Sequence, residues 1–203
     1  MNIDLIKEAV EFSELQSKIS HNNLYGVTDG KKVGTYIEKL FQKFLEDKYG
    51  DLGTGNSAKG IDLPGLNTDI KATSIVQPQS SCPYRNARQK IFGLGYNLIV
   101  FVYEKKDYID NDQRLCKINF KYITFIEKHR TADYTTTQML INMKNAGANK
   151  EDIVSYLNDR RIPGDEIEHN MIAEEILKKP FEQGYLTVSN ALPLKCSRTC
   201  SPT

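Results

Sequence analysis

Tryptophan is absent from the sequence, histidine occurs three times and cysteine four. With no tryptophan and with tyrosines spread along the chain, there is no aromatic platform on which single-stranded bases could stack. His21, His129 and His169 are scattered and share no metal-ligand spacing, so surface or structural roles are expected for all three. Cys82 and Cys116 stand far apart and read as buried thiols. Cys196 and Cys200 form a Cys-x-x-x-Cys pair with no second half-site, which is weak ground for zinc. Long apolar runs are missing too: the longest, residues 98–103, is far too short to span a bilayer. The N-terminus lacks the basic-then-apolar pattern of a signal peptide, and a cytoplasmic protein is expected. Residues 50–60 carry glycines without a Gly-Lys-Ser/Thr ending, so they do not form a nucleotide phosphate loop.

What is present describes a globular chain. Its 203 residues, 39% hydrophobic and 26% charged, suffice for one domain with a real core. The net charge of +1 hides an uneven distribution. Between Lys59 and Arg130 there are 12 Lys or Arg against 7 Asp or Glu, while both flanking segments are mildly acidic. A basic middle suits a polyanionic partner, although by itself it describes any solvated face.

No repeat or linker interrupts the pattern, so residues 1–192 are expected to form a single domain, with 193–203 a disordered or foreign tail. Apolar residues recur at helical spacing over 3–18, and again over 33–48, where Tyr36, Ile37, Leu40, Phe41, Phe44 and Leu45 make one face. The glycine-rich stretch 49–56 ends that helix. The period then changes. Residues 60–63 and 68–73 read as two short strands joined at Pro64-Gly65 into a hairpin. A short helix follows over 85–94, then an apolar strand over 96–104 and a partly alternating one over 115–126. Helices are expected over 135–145, 150–160 and 166–179. The fold class is α/β (α+β), with a central mixed sheet flanked by helices and a helical region at 131–192.

The pattern that carries chemistry is Asp62-x6-Asp69-x-Lys71. Alternation along a strand sends Asp69 and Lys71 to one face and Ile70 to the other. A hairpin would bring Asp62 beside Asp69, gathering two carboxylates and an ammonium. Two carboxylates offer hard oxygen ligands to Mg²⁺, which keeps waters and takes remaining ligands from a phosphate. Such an ion polarises a scissile phosphate and acidifies water, and a lysine stabilises charge on the transition state. Glu38, on the preceding helix, could add a third carboxylate.

These residues, Asp62, then Asp69-Ile70-Lys71, behind a helix bearing Glu38, resemble the PD-(D/E)xK nuclease superfamily, and within it the type II restriction endonucleases. The resemblance covers about residues 33–126 and implies an αβββαβ core. It implies that Asp62 and Asp69 bind Mg²⁺, that Lys71 is the catalytic lysine and that Glu38 supports the site. It also implies double-stranded DNA as substrate, a homodimer, and a cognate DNA methyltransferase as genetic partner. Two features depart from the pattern: Ile61 stands where the family name has proline, and the two aspartates are closely spaced.

The segment after the catalytic strand is rich in groups that contact phosphates and base edges. Gln77, Gln79, Arg85, Asn86, Arg88, Gln89 and Lys90 are the candidates for DNA contact. A structure-specific or repair nuclease of the same fold, or a non-catalytic DNA-binding protein, remains an alternative reading.

Overall fold

The computed structural model describes residues 3–52, 60–78 and 83–186, which fall into two compact units. Among the described residues the fold is mixed α/β, with six α-helices and one four-stranded mixed sheet. The first unit takes residues up to 78 and 98–126, and the second takes 83–97 and 127–186.

In the first unit, α1 (Leu5–Gln16) starts on Asp4, whose side chain accepts the N–H groups of Ile6 and Lys7. A two-residue strand, β1 (Ser20–His21), follows. Asp29 caps α2 (Gly30–Tyr49) through the N–H groups of Lys31 and Lys32. Val33, Ile37, Phe41 and Leu45 recur every four residues and are buried, which is why this stretch is a helix with one face in the core. Gly50, at φ +81°, ends it. The sheet runs β1–β4–β3–β2, built from β2 (Thr68–Ser74), β3 (Asn97–Asp110) and β4 (Gln113–Ile126). β3 and β4 pair antiparallel along their length, with a bulge at Val102/Tyr103. Phe12 of α1 gathers the rings of Phe41, Phe44, Phe101 and Phe120 at 5.1 to 5.7 Å. Cys116 is a buried free thiol in this core, as expected.

The hairpin expected at Pro64-Gly65 is not formed as two strands. Residues 60–63 contribute a single bridge, Leu63 to Thr68, and Pro64–Leu66 is a 3-10 turn closed by Asn67 at φ +47°. The physical reason is local: Pro64 cannot donate to a ladder, and Gly65 donates instead to Leu52 O at 3.1 Å.

The second unit comprises α3 (Ala87–Phe92), α4 (Tyr134–Asn145), α5 (Lys150–Asp159) and α6 (Glu166–Lys178). Asn149 and Asp152 form a reciprocal capping box at the start of α5. Ile91, Leu140, Ile153, Leu157, Ile172 and Ile176 make its separate core. His169 is buried there, bonded to Asn158 at 2.8 Å and to Ile162 O at 3.1 Å. No helix among the described residues is long and apolar enough to cross a membrane.

Candidate active site

The site is built where α2 presses on β2. Gly34 makes the close approach possible: a Cβ there would lie 3.1 Å from Ala72 O. One turn further along α2, Glu38 accepts the backbone N–H of Ala72, and one turn beyond that stands Gln42. In β2, Ile70 and Ala72 enter the core while Asp69 and Lys71 occupy the alternate positions.

Asp62, though outside any strand, is tied to Asp69 by side-chain bonds. Its own N–H donates to Asp69 Oδ1 at 3.3 Å, and its Oδ2 accepts the N–H of Ile70 at 3.0 Å. The Gln42 amide nitrogen donates to both the backbone carbonyl and Oδ1 of Asp62, each at 3.2 Å. Asp69 is 4% exposed, and its Oδ2 lies 2.8 Å from Lys71 Nζ. Lys71 Nζ also donates to Ile70 O at 3.0 Å. Asp62, Asp69 and Lys71, singled out by spacing, therefore converge, with Glu38 within electrostatic reach of Lys71 and Asp69.

The electrostatics follow from this crowding. Burial and the adjacent Asp69 carboxyl push Asp62 up to about 6. Burial also raises Glu38, with Asp69 adding to it and Lys71 opposing it. Lys71 is held above its ordinary value: burial pulls it down, but Asp69, Glu38 and Asp62 outweigh that. Among the described residues, no three His, Cys, Asp or Glu side chains cluster as a ready metal cage. The donor set is nonetheless that of a cation site, because a cation already sits in it: the Lys71 ammonium bridges a carboxylate and a carbonyl oxygen.

The residues expected to contact DNA divide. Gln77 is exposed just beyond β2, and Gln79 lies outside the described residues. In the second unit, Arg85 is exposed, but Asn86 caps α3 by accepting Gln89 N–H, and Gln89 Oε1 accepts Arg85 N–H at 2.9 Å. Arg88 is paired with Glu175 at 2.6 Å and lies over the Phe92 ring, and Lys90 is half-buried with its carbonyl accepting Asp133 N–H. Gln42, which bonds Asp62, is the residue of this cluster that sequence reasoning misses. The available signal is its spacing, one helical turn after Glu38.

Two carboxylates, one of them pushed up to about 6, beside an ammonium have the chemistry for phosphodiester hydrolysis. Comparison with known proteins places the chain in that class, as a type II restriction endonuclease. It belongs to the family described as "Type II restriction enzyme NspV", whose model matches residues 2–198. The type II restriction enzyme NspV of Nostoc sp. (strain ATCC 29411 / PCC 7524) is 50% identical to it over 185 residues, covering 91% of this chain and 83% of that protein. No solved structure matches the chain.

Proposed function

We propose that this restriction endonuclease hydrolyses double-stranded DNA with Mg²⁺, using Asp62 and Asp69 as cation ligands, Lys71 as the catalytic lysine and Glu38 as support. The observation that carries this reading is the joining of Asp62 to Asp69, with Lys71 2.8 Å from Asp69 Oδ2. Two adjacent carboxylates relieve their mutual repulsion by sharing a cation, and oxygen-only donors suit Mg²⁺. Such a cation, when bound, supplies Lewis acidity to the scissile phosphate and to water.

The protein's own groups do the rest. Ile70 N–H and the Gln42 amide fix the Asp62 carboxylate in place. Lys71, half-exposed beside Asp69, would offer its ammonium to the charge growing on the phosphate. Glu38 keeps Lys71 charged and close to the site.

The same reading takes α2, the Leu63 bridge, β2, α3 and β3, in that order, as a restriction-endonuclease-like core within a single nuclease domain. It assigns phosphate and base contacts to Gln77, Gln79, Arg85, Asn86, Arg88, Gln89 and Lys90. It also makes the enzyme a cytoplasmic homodimer whose host is protected by a cognate methyltransferase, which a neighbouring methyltransferase gene would support.

The test is cleavage of a large, sequenced, unmethylated DNA with Mg²⁺, comparing wild type with Asp69→Ala. Discrete fragments from the wild type alone are expected. Equal cutting by both proteins would refute the assigned site, and loss of wild-type cutting on chelation would establish the metal requirement.

A further inference from the structure

The face of the sheet opposite the core carries a group of lysines that the cleavage chemistry does not use. Ile70 and Ala72 join Ile99, Phe101, Tyr103, Cys116 and Ile118 in one core, so the intervening Asp69 and Lys71 share the opposite face with the alternate positions of β3 and β4. Along the outer half of the β3–β4 hairpin those positions include Glu104, Lys106, Lys117 and Asn119.

One feature of this face is unfavourable unless something anionic covers it, and two others add to its positive charge. Lys106 and Lys117 lie directly opposite each other in the antiparallel register, an arrangement that is unfavourable for like charges. The bulge pairs Val102 with Tyr122 and Tyr103 with Phe120, which leaves Lys121 as the extra residue beside them. Lys106 and Lys121 are 63% and 41% exposed, and Lys117 makes no ion pair among the described residues. Among the described residues, Glu104 is the one carboxylate bonded here, to Lys121 at 3.1 Å and Lys106 at 3.5 Å, while Asp110 lies at the far end of the hairpin. Three ammonium groups against one bonded carboxylate leave a net positive stripe, flanked by the half-exposed Tyr122 ring.

We infer that Lys106, Lys117 and Lys121 form a phosphate-binding face that holds duplex DNA irrespective of its sequence, on the sheet surface that bears Asp69 and Lys71. This rests on Asp69 and Lys71 being the cleavage site. Ammonium groups on flexible stems neutralise phosphates without reading bases, so the face adds affinity and salt dependence but no base preference.

The experiment is binding of the full chain to a random-sequence duplex over a salt series without divalent metal, comparing wild type with the triple variant Lys106→Gln, Lys117→Gln, Lys121→Gln and a triple Lys→Arg control. The plot of log affinity against log salt should flatten by about 0.9 for each phosphate no longer neutralised, hence by about 2 to 3 for the triple variant. The arginine control should keep the wild-type slope, and cutting positions should not change. A triple variant with the wild-type slope overturns the inference alone. A wild type that binds no duplex overturns it together with the nuclease reading. Should the triple variant not fold, Lys117→Gln alone should flatten the slope by about 0.9, and an unchanged slope there overturns the inference equally.

Discussion

Gln42 holds Asp62 twice, its amide nitrogen lying 3.2 Å from both the backbone carbonyl and Oδ1 of the aspartate. No strand ladder fixes Asp62, so this contact from α2 does much of what a hairpin would have done. A hydrogen bond to a charged group contributes about 1.5–3 kcal/mol. Gln42→Leu, which keeps the bulk and removes the donor, should lower cleavage roughly 10- to 100-fold, taking each 1.4 kcal/mol as a factor of ten. Titrating Mg²⁺ should show the loss mainly as a higher metal requirement, and full activity at ordinary Mg²⁺ would contradict the role.

The raised Asp62 makes a signed prediction about stability. An acid held at about 6 when folded, against an ordinary 3.8, binds its proton more tightly in the folded chain. Its contribution is fully present below about pH 3.8 and is lost as pH rises through about 6. Metal-free Asp62→Asn should therefore match the wild-type Tm near about pH 4 and exceed it at neutral pH. Buried His21, pulled below 6.5 by burial, costs stability as pH falls through that value, but it is common to both proteins and cancels in the difference. A Tm difference that shrinks as pH rises would contradict the placement of Asp62.

Activity should follow the same group in the opposite direction. Asp62 must be ionised to share a cation, so Mg²⁺-dependent cleavage should fall below about pH 6. The measurement is single-turnover cleavage across pH at saturating and at low Mg²⁺. Excess metal should shift the acid limb to lower pH, and a limb insensitive to metal would assign it to another group.

Gly34 tests how the site is assembled. A Cβ there would lie 3.1 Å from Ala72 O, so the larger Gly34→Val side chain crowds α2 against β2. Overpacking of this kind costs about 1–3 kcal/mol. A lower Tm should accompany a loss of cleavage larger than the stability loss explains, because Glu38 and Gln42 retreat with the helix. Unchanged activity in a folded variant would show that the site does not depend on that approach.

Much of this is legible in the sequence because periodicity reports burial. Val33, Ile37, Phe41 and Leu45 announce α2, and Asp69-Ile70-Lys71 announces a strand with two polar positions on one face. The sequence points to Asp62 for a reason that is incomplete: Pro64-Gly65 does turn the chain, but as a 3-10 turn with one bridge rather than a hairpin. Gln42 is hidden because nothing in a helix pattern separates a glutamine that points at a carboxylate from one that points at water. Asn86 and Gln89 suggest base contact because amides read bases. The same groups close helix ends, and here they bond at the start of α3. The outer half of the β3–β4 hairpin escapes notice because its charged residues follow no apolar alternation, and only cross-strand pairing extends it to Asp110.

The ammonium of Lys71, seated between Asp69 and Ile70 O, bears on how such an enzyme is made. A chain that carries its own countercharge never has to fold around bare paired anions, so it can reach its native state before meeting any metal. On the proposed reading, Asp69, one of the two carboxylates that would hold Mg²⁺, is the one this ammonium already neutralises, and the same short tether keeps the lysine beside the place a phosphate would occupy.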